Sequence, residues 1–129
     1  MGKIDLLIVE DDKSNRDDAL FLAEEYYGLK CLSFESGVEA LKYLKQQDKN
    51  NLPKAFLVDM RIEGSSEELD SPLEIFNYLK EQNQLEHFRF HTGHFSEHDQ
   101  RVHEITNAQV ILKGEPEIHV FLEILKNTK

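Results

Sequence analysis

The chain has 129 residues, and its 25 Asp and Glu residues outnumber its 15 Lys and Arg residues, which gives a formal net charge of −10. This length fits a single domain over residues 1–129 that can bury a core without disulfides. The charge disfavours nucleic acid as a direct partner. Apolar runs such as Leu6–Val9 are too short to insert into a membrane, and the lone Cys31 suits a reducing compartment, so we expect a cytoplasmic protein.

The first part of the chain predicts two strand and helix pairs. The stretch Ile4–Val9, which is apolar except for Asp5, is typical of a strand covered on both faces. Ser14 and Asp17 have the spacing of a helix capping box, and Gly28 is a suitable helix stop. A second strand is predicted over Lys30–Phe34. The short helix after it has an apolar stripe of Val38, Leu41 and Leu44.

Three more pairs follow along the chain. The strand Ala55–Val58 runs into Asp59, and Pro72 opens a helix with Leu73, Phe76 and Leu79 on one face. The strand His87–His91 precedes Thr92, and Val102 and Ile105 mark a weakly amphipathic helix. The strand Gln109–Leu112 ends at Lys113. The last helix has its apolar positions at Ile118, Phe121, Leu122 and Leu125.

Strict alternation of strands and helices predicts a doubly wound α/β fold, in which helices cover both faces of a parallel sheet. Ligands of such sheets bind beyond the carboxyl ends of the strands. Four strand ends carry polar residues that we take as candidate site residues: Glu10, Asp11, Asp59, Thr92 and Lys113.

These residue types together indicate phosphoryl chemistry. Carboxylates held close together repel one another unless a cation lies between them. Oxygen ligands suit Mg²⁺, which often binds few carboxylates and completes its shell with water and phosphate oxygens. Lys113 and Thr92 can then contact phosphoryl oxygens, and Asp59 is available as the nucleophile, which predicts an aspartyl phosphate.

The segments LLIVEDD, AFLVDM, FHTG and VILKG resemble the receiver domain of two-component response regulators along nearly the whole chain. The resemblance implies a flavodoxin-like fold with strand order 2-1-3-4-5. It also implies that Asp59 accepts a phosphoryl group from a phosphohistidine on a sensor histidine kinase or a histidine phosphotransfer protein. Such a domain catalyses only its own phosphorylation and dephosphorylation, and we expect it to signal by contact with a downstream protein.

The resemblance also implies individual roles. Asp11 and Asp59 would bind Mg²⁺, Glu10 would act on the metal directly or through water, and the backbone carbonyl of Arg61 would be a further ligand. Thr92 corresponds to the switch hydroxyl and Lys113 to the lysine that pairs with the phosphoryl group. We expect the downstream partner to contact the face formed by the fourth helix, the fifth strand and the last helix.

Three departures from the family pattern leave alternatives open. Val110 stands where an aromatic residue is usual, Gly114 follows the lysine where proline is usual, and the acidic segment Glu63–Ser71 is longer than usual. One alternative is a degenerate receiver that binds a partner without being phosphorylated. Another is a Mg²⁺-dependent phosphatase that resembles the haloacid dehalogenase family, which would need a second Asp at the position of Arg61. We expect the peptide bond before Gly114 to be trans.

The histidines allow two further hypotheses. His91, His94 and His98 could bind a transition metal, but no Cys or pair of carboxylates completes an obvious tetrahedral set. His94 lies two residues after Thr92, and Arg61 two after Asp59, so both could adjust the hydrolysis of an aspartyl phosphate.

Taken alone, an acidic run such as 10–12 is more often a solvated helix start.

Overall fold

Five parallel strands form one sheet in the order β2-β1-β3-β4-β5, which confirms the predicted doubly wound fold and its strand order. The computed structural model describes residues 3–60, 71–93, 97–114 and 116–128. The strands are Leu6–Val9 (β1), Cys31–Phe34 (β2), Ala55–Asp59 (β3), Phe88–Thr92 (β4) and Gln109–Leu112 (β5).

The described residues contain five α-helices, of which four connect consecutive strands and the fifth follows β5. They are Lys13–Phe21 (α1), Gly37–Lys45 (α2), Ser71–Glu81 (α3), Glu97–Thr106 (α4) and Glu117–Asn127 (α5). A π-helical turn, Leu22–Tyr26, continues α1, and a short 3-10 turn, Lys49–Asn51, precedes β3. Among the described residues, no helix has the length and apolar character needed to cross a membrane.

The two faces of the sheet are both buried, because β1 and β3 send alternate apolar side chains to opposite sides. Leu7 and Val9 of β1 lie in the cluster that α2, α3 and α4 cover, whereas Leu6 and Ile8 lie in the cluster that α1 and α5 cover. All four side chains are at most 1% exposed. The apolar run Leu6–Val9 is therefore a central strand covered on both faces, although the predicted start at Ile4 lies two residues before it.

The start of α1 differs from the prediction. The side chain of Asp12, not that of Ser14, caps the helix and accepts a hydrogen bond from the Asn15 backbone N–H at 2.9 Å. Asp12 has extended backbone angles, which an N-cap residue requires, whereas Ser14 already lies within the helix. The cap therefore directly follows the acidic pair Glu10 and Asp11.

Two apolar residues that were predicted to face the core are exposed, Val38 by 54% and Ile105 by 73%. The buried face of α2 consists instead of Gly37, Ala40 and Leu44, so the stripe is displaced by one residue at its start. In α5 all four predicted apolar positions are buried.

Candidate functional site

The polar residues at the strand ends meet at one edge of the sheet. Asp59 and Thr92 are the last residues of β3 and β4, and Glu10 and Lys113 directly follow β1 and β5. The Lys113 backbone N–H donates to the Thr92 carbonyl oxygen at 2.8 Å, which continues the β4–β5 pairing past the end of β5. The sheet therefore fixes the backbone positions of these four residues.

Three carboxylates form an acidic cluster at this edge. Glu10, Asp11 and Asp59 each offer one oxygen, and these oxygens all lie within 4.8 Å of one another. Glu10 and Asp59 are buried, at 3% and 5% exposed, while Asp11 is half-buried. Buried carboxylates at such separations require a counter-charge, because little water screens their repulsion.

Lys113 supplies one counter-charge. Its Nζ lies 2.5 Å from Glu10 Oε1 and 3.3 Å from Asp59 Oδ2, and its side chain is 18% exposed. Burial opposes the charge of Lys113, but the hydrogen bonds and charges of Glu10 and Asp59 outweigh this effect and raise its pKa. The lysine therefore stays charged and bridges Glu10 and the phosphoacceptor candidate Asp59.

One ammonium cannot neutralise two buried carboxylates, and Glu10 shows the consequence. The pKa of Glu10 is raised to about 8, because burial and the hydrogen bond with Asp59 raise it by more than Lys113 lowers it. A proton on Glu10 thus provides the second counter-charge near neutral pH. A divalent cation at the same place would remove the need for that proton.

Arg16 is a residue of this site that the sequence did not indicate. Its Nη1 reaches back from α1 and donates to the backbone carbonyl oxygen of Glu10 at 2.9 Å, with the Asp11 carbonyl oxygen at 3.5 Å. The signal available in the sequence is an arginine one turn into a helix that follows an acidic strand end. That spacing alone does not show where the guanidinium points.

A cavity of about 480 Å³ adjoins Lys113 between α1 and the connection from β5 to α5, and the half-buried His91 is among its lining residues. Burial, together with the smaller effect of the positive charge of Lys113, lowers the pKa of His91 to about 4. His91 is therefore neutral at neutral pH. This residue adds no positive charge to the site.

The structure shows two of the predicted departures directly. Val110 is half-buried and packs against the core cluster that α2, α3 and α4 cover. Gly114 has φ of +82°, a left-handed conformation that the fixed φ of proline excludes. No peptide bond among the described residues is cis, and the bond before Gly114 is therefore trans, as expected.

Several predicted features lie outside the described residues. These are Arg61 with its backbone carbonyl, His94, and the acidic segment up to residue 70. The transition-metal hypothesis for His91, His94 and His98 is therefore untested, whereas the phosphatase alternative lacks its second Asp in the sequence itself, because Arg61 occupies that position. The roles of Arg61 and His94 in hydrolysis remain predictions, since both lie outside the described residues.

The acidic cluster fits Mg²⁺ in its donor chemistry. It consists of carboxylate oxygens only, which a hard cation prefers, and two of the three carboxylates are buried and share too little positive charge. Asp11 is more accessible than the other two, which leaves a side of the cluster open to water and to a substrate. Mg²⁺ typically keeps such ligands beside its protein carboxylates.

Comparison with solved structures gives a consistent result for the fold. A two-component response regulator from Legionella pneumophila matches with a TM-score of 0.73 and 22% identity, over 98% of this chain and 100% of that one. A response regulator receiver protein from Sinorhizobium medicae matches with a TM-score of 0.71 and 13% identity, over 98% and 96% of the two chains. The chain has the receiver-domain fold.

A receiver domain from Clostridium thermocellum shares this receiver fold at 16% identity, with a TM-score of 0.70 over 96% of this chain and 94% of that one. No family model matches the sequence, and no curated protein matches it. At these identities the likeness concerns the fold. The activity has to be argued from the site itself.

Proposed function

We propose that this receiver fold accepts a phosphoryl group on Asp59 in a Mg²⁺-dependent reaction and signals through contact with another protein. The observation that carries the proposal is the convergence of Asp59 with the acidic pair Glu10 and Asp11, Lys113 and Thr92 at one sheet edge. Structural packing does not require three carboxylates and a half-buried lysine there.

The phosphoryl donor in this proposal is a phosphohistidine on a sensor histidine kinase or a histidine phosphotransfer protein. A carboxylate oxygen of Asp59 attacks the phosphorus, so an O–P bond forms and the P–N bond breaks. The electron pair of that bond returns to the imidazole, which takes up a proton from solvent. Lys113 and the Thr92 hydroxyl stabilise the charge on the phosphoryl oxygens. Attack of water on phosphorus later restores the Asp59 carboxylate.

Glu10, Asp11 and Asp59 would hold the Mg²⁺, and the Arg61 carbonyl is the expected further ligand. When bound, the ion neutralises negative charge on the carboxylates and the phosphoryl oxygens, which otherwise repel each other. The protein's own contribution is to hold Asp59 almost fully buried and to keep Lys113 beside it. Lys113 already contacts Asp59 before any phosphoryl group arrives, so the site is organised in advance.

The proposed contact surface for a downstream protein is the face of α4, β5 and α5. It carries four exposed apolar side chains, Ile105, Leu112, Val120 and Ile124. A cavity of about 670 Å³ lies along β5 and α5 at this face, and three of these side chains, Leu112, Val120 and Ile124, line it. Exposed apolar side chains grouped around a groove are typical of protein contact sites.

A degenerate receiver that binds its partner without phosphorylation is the second candidate. Val110 favours it, because this half-buried side chain has little volume to move between an exposed and a buried position. Gly114 also favours it, since its left-handed backbone replaces a rigid proline. The intact set of Asp59, Lys113 and Thr92 supports the phosphoacceptor instead.

Incubation with acetyl phosphate and Mg²⁺, followed by intact mass measurement, separates the two candidates. The phosphoacceptor gains the mass of one phosphoryl group, and the gain disappears in Asp59→Asn and in the presence of a chelator. Asp12→Asn is the matched control, because it removes a neighbouring exposed carboxylate and keeps a good helix cap. A wild-type protein without the gain would support the degenerate receiver, and a gain that survives in Asp59→Asn would contradict the assigned acceptor.

A further inference from the structure

We propose that Arg16 is a positioning residue that holds the peptide units of Glu10 and Asp11 so that both carboxylates face the metal site. The proposal rests on the proposed function, since it concerns the same Mg²⁺ site. Arg16 lies on α1, and its guanidinium would fix the backbone that carries the two acidic side chains.

The contacts of Glu10 show why its backbone carbonyl needs a hydrogen-bond partner outside the sheet. Its N–H donates to the Phe34 carbonyl oxygen at 3.0 Å, so β2 fixes one side of the residue. β1 ends at Val9, one residue earlier, so the Glu10 carbonyl lies beyond the strand. Arg16 Nη1 donates to this carbonyl oxygen at 2.9 Å. The two hydrogen bonds together fix the orientation of Glu10 beyond the end of the strand.

The same guanidinium nitrogen lies 3.5 Å from the Asp11 carbonyl oxygen, so it spans two consecutive peptide units. The next residue completes the turn, because the Asp12 N–H lies 3.3 Å from Glu10 Oε2 and the Asp12 side chain caps α1. Arg16 in turn donates its own N–H to the Asp12 carbonyl oxygen at 2.9 Å. The strand end, the acidic pair and the first turn of α1 therefore form one connected unit.

Without the arginine, the peptide between Glu10 and Asp11 can rotate, and such a rotation turns the two side chains relative to each other. The positioning effect is distinct from the positive charge of Arg16, which any cation at this place would supply. A planar guanidinium is suited to bridge two carbonyls, whereas a lysine ammonium supplies a flexible point charge.

The test measures Mg²⁺ affinity by titration calorimetry in Arg16→Lys and Arg16→Gln, with Lys13→Gln as the control. Lys13 lies on the same helix, and its side chain is 80% exposed, so the control removes a positive charge without touching the acidic pair. We expect Arg16→Lys and Arg16→Gln to bind Mg²⁺ about tenfold more weakly than wild type, as is typical when a residue that orients metal ligands is lost. We expect the control to bind like wild type.

A second measurement separates positioning from charge and from general destabilisation. The ratio of dissociation constants is determined at about 0.1 M and about 1 M salt, because screening removes a charge effect and leaves a positioning effect. In Mg²⁺-free protein, the Asp12 amide should exchange faster in Arg16→Lys, while the amide of the core residue Leu57 should exchange at the wild-type rate.

The outcomes are distinct. Wild-type affinity in Arg16→Lys, or a loss that disappears at high salt, would overturn the positioning role and leave the proposed function intact. A wild-type protein that binds no Mg²⁺ would overturn both proposals. Equal acceleration of the Asp12 and Leu57 amides would show that Arg16 supports the whole fold instead of the acidic pair.

Discussion

Replacing Lys113 by Gln tests how the buried charges of the site balance one another. In the wild-type protein, the ammonium contacts Glu10 and Asp59, whose side chains are 4% and 6% exposed. Lys113→Gln leaves both carboxyl groups buried without their cation. We therefore expect a loss of stability that depends on pH and that Mg²⁺ reduces.

The size of the loss follows from the burial of the pair. Breaking a buried ion pair by removing one partner costs about 3–5 kcal/mol. The Lys113 side chain is 18% exposed, which allows some solvent screening, so we expect about 2–4 kcal/mol at about pH 9. At about pH 5 the loss should be smaller, because Glu10 is protonated in both proteins at this pH and no longer needs the ammonium.

The sign follows from the pKa of Glu10, which the fold raises to about 8. A carboxyl group with a raised pKa stabilises the folded state while it is protonated, and this contribution is lost as the pH rises towards about 8. Lys113 lowers the pKa of Glu10, so Lys113→Gln raises it further. Each pKa unit of that rise adds about 1.4 kcal/mol to the difference between the losses of stability at high and at low pH.

Urea unfolding followed by circular dichroism measures these free energies, since the chain contains no Trp for fluorescence. The matched control is Lys54→Gln, which removes a partner of Asp5 at 3.4 Å in a more exposed pair, and we expect it to cost less than about 1 kcal/mol. A loss in Lys113→Gln that is equal at both pH values and unaffected by Mg²⁺ would refute the charge-balance reasoning. The lysine would then act through packing alone.

Four further outcomes follow from single sites. Asp11→Ala should abolish the rise in melting temperature that Mg²⁺ produces in the wild-type protein, as thermal scans with and without the ion would show. Asp12→Ala should cost about 1 kcal/mol in urea unfolding because it removes the helix cap, whereas Asp12→Asn should cost little. Burial raises the pKa of Cys31 to about 12, so its alkylation by iodoacetamide should be slow until urea unfolds the chain. With a beryllofluoride phosphate mimic, amide exchange should change more at Thr92 than at Val110, and the reverse would contradict the assigned route.

The part of the site that the sequence predicts is the part that the sheet determines. A central strand such as β1 is apolar throughout, so the first polar residue after it marks the strand end within one residue. Parallel strands place all such ends at the same edge of the sheet. Glu10, Asp59, Thr92 and Lys113 could therefore be grouped without knowledge of any side-chain contact.

Side-chain reach and helix phase could not be predicted in this way. The capping role of Asp12 depends on where the backbone changes from extended to helical. Three successive acids do not indicate which of them lies at that change. The phase of α2 differs from the prediction because the buried Gly37 and Ala40 add little hydrophobicity to the sequence pattern, whereas the exposed Val38 adds much. The Arg16 contact depends on a long side chain that turns back towards β1.

The exposed face of α4, β5 and α5 has a direct structural connection to the site that does not require an aromatic residue at Val110. The Thr92 carbonyl accepts a hydrogen bond from the Lys113 N–H, so a displacement of the end of β4 acts on the end of β5 through the backbone. Lys113 then leads within one residue to Gly114, whose left-handed backbone turns the chain towards α5. Because a glycine has more backbone freedom than the usual proline, a movement of Lys113 can be absorbed there. We therefore expect the proposed phosphorylation of Asp59 to displace mainly Thr92 and Lys113, with a smaller displacement of α5.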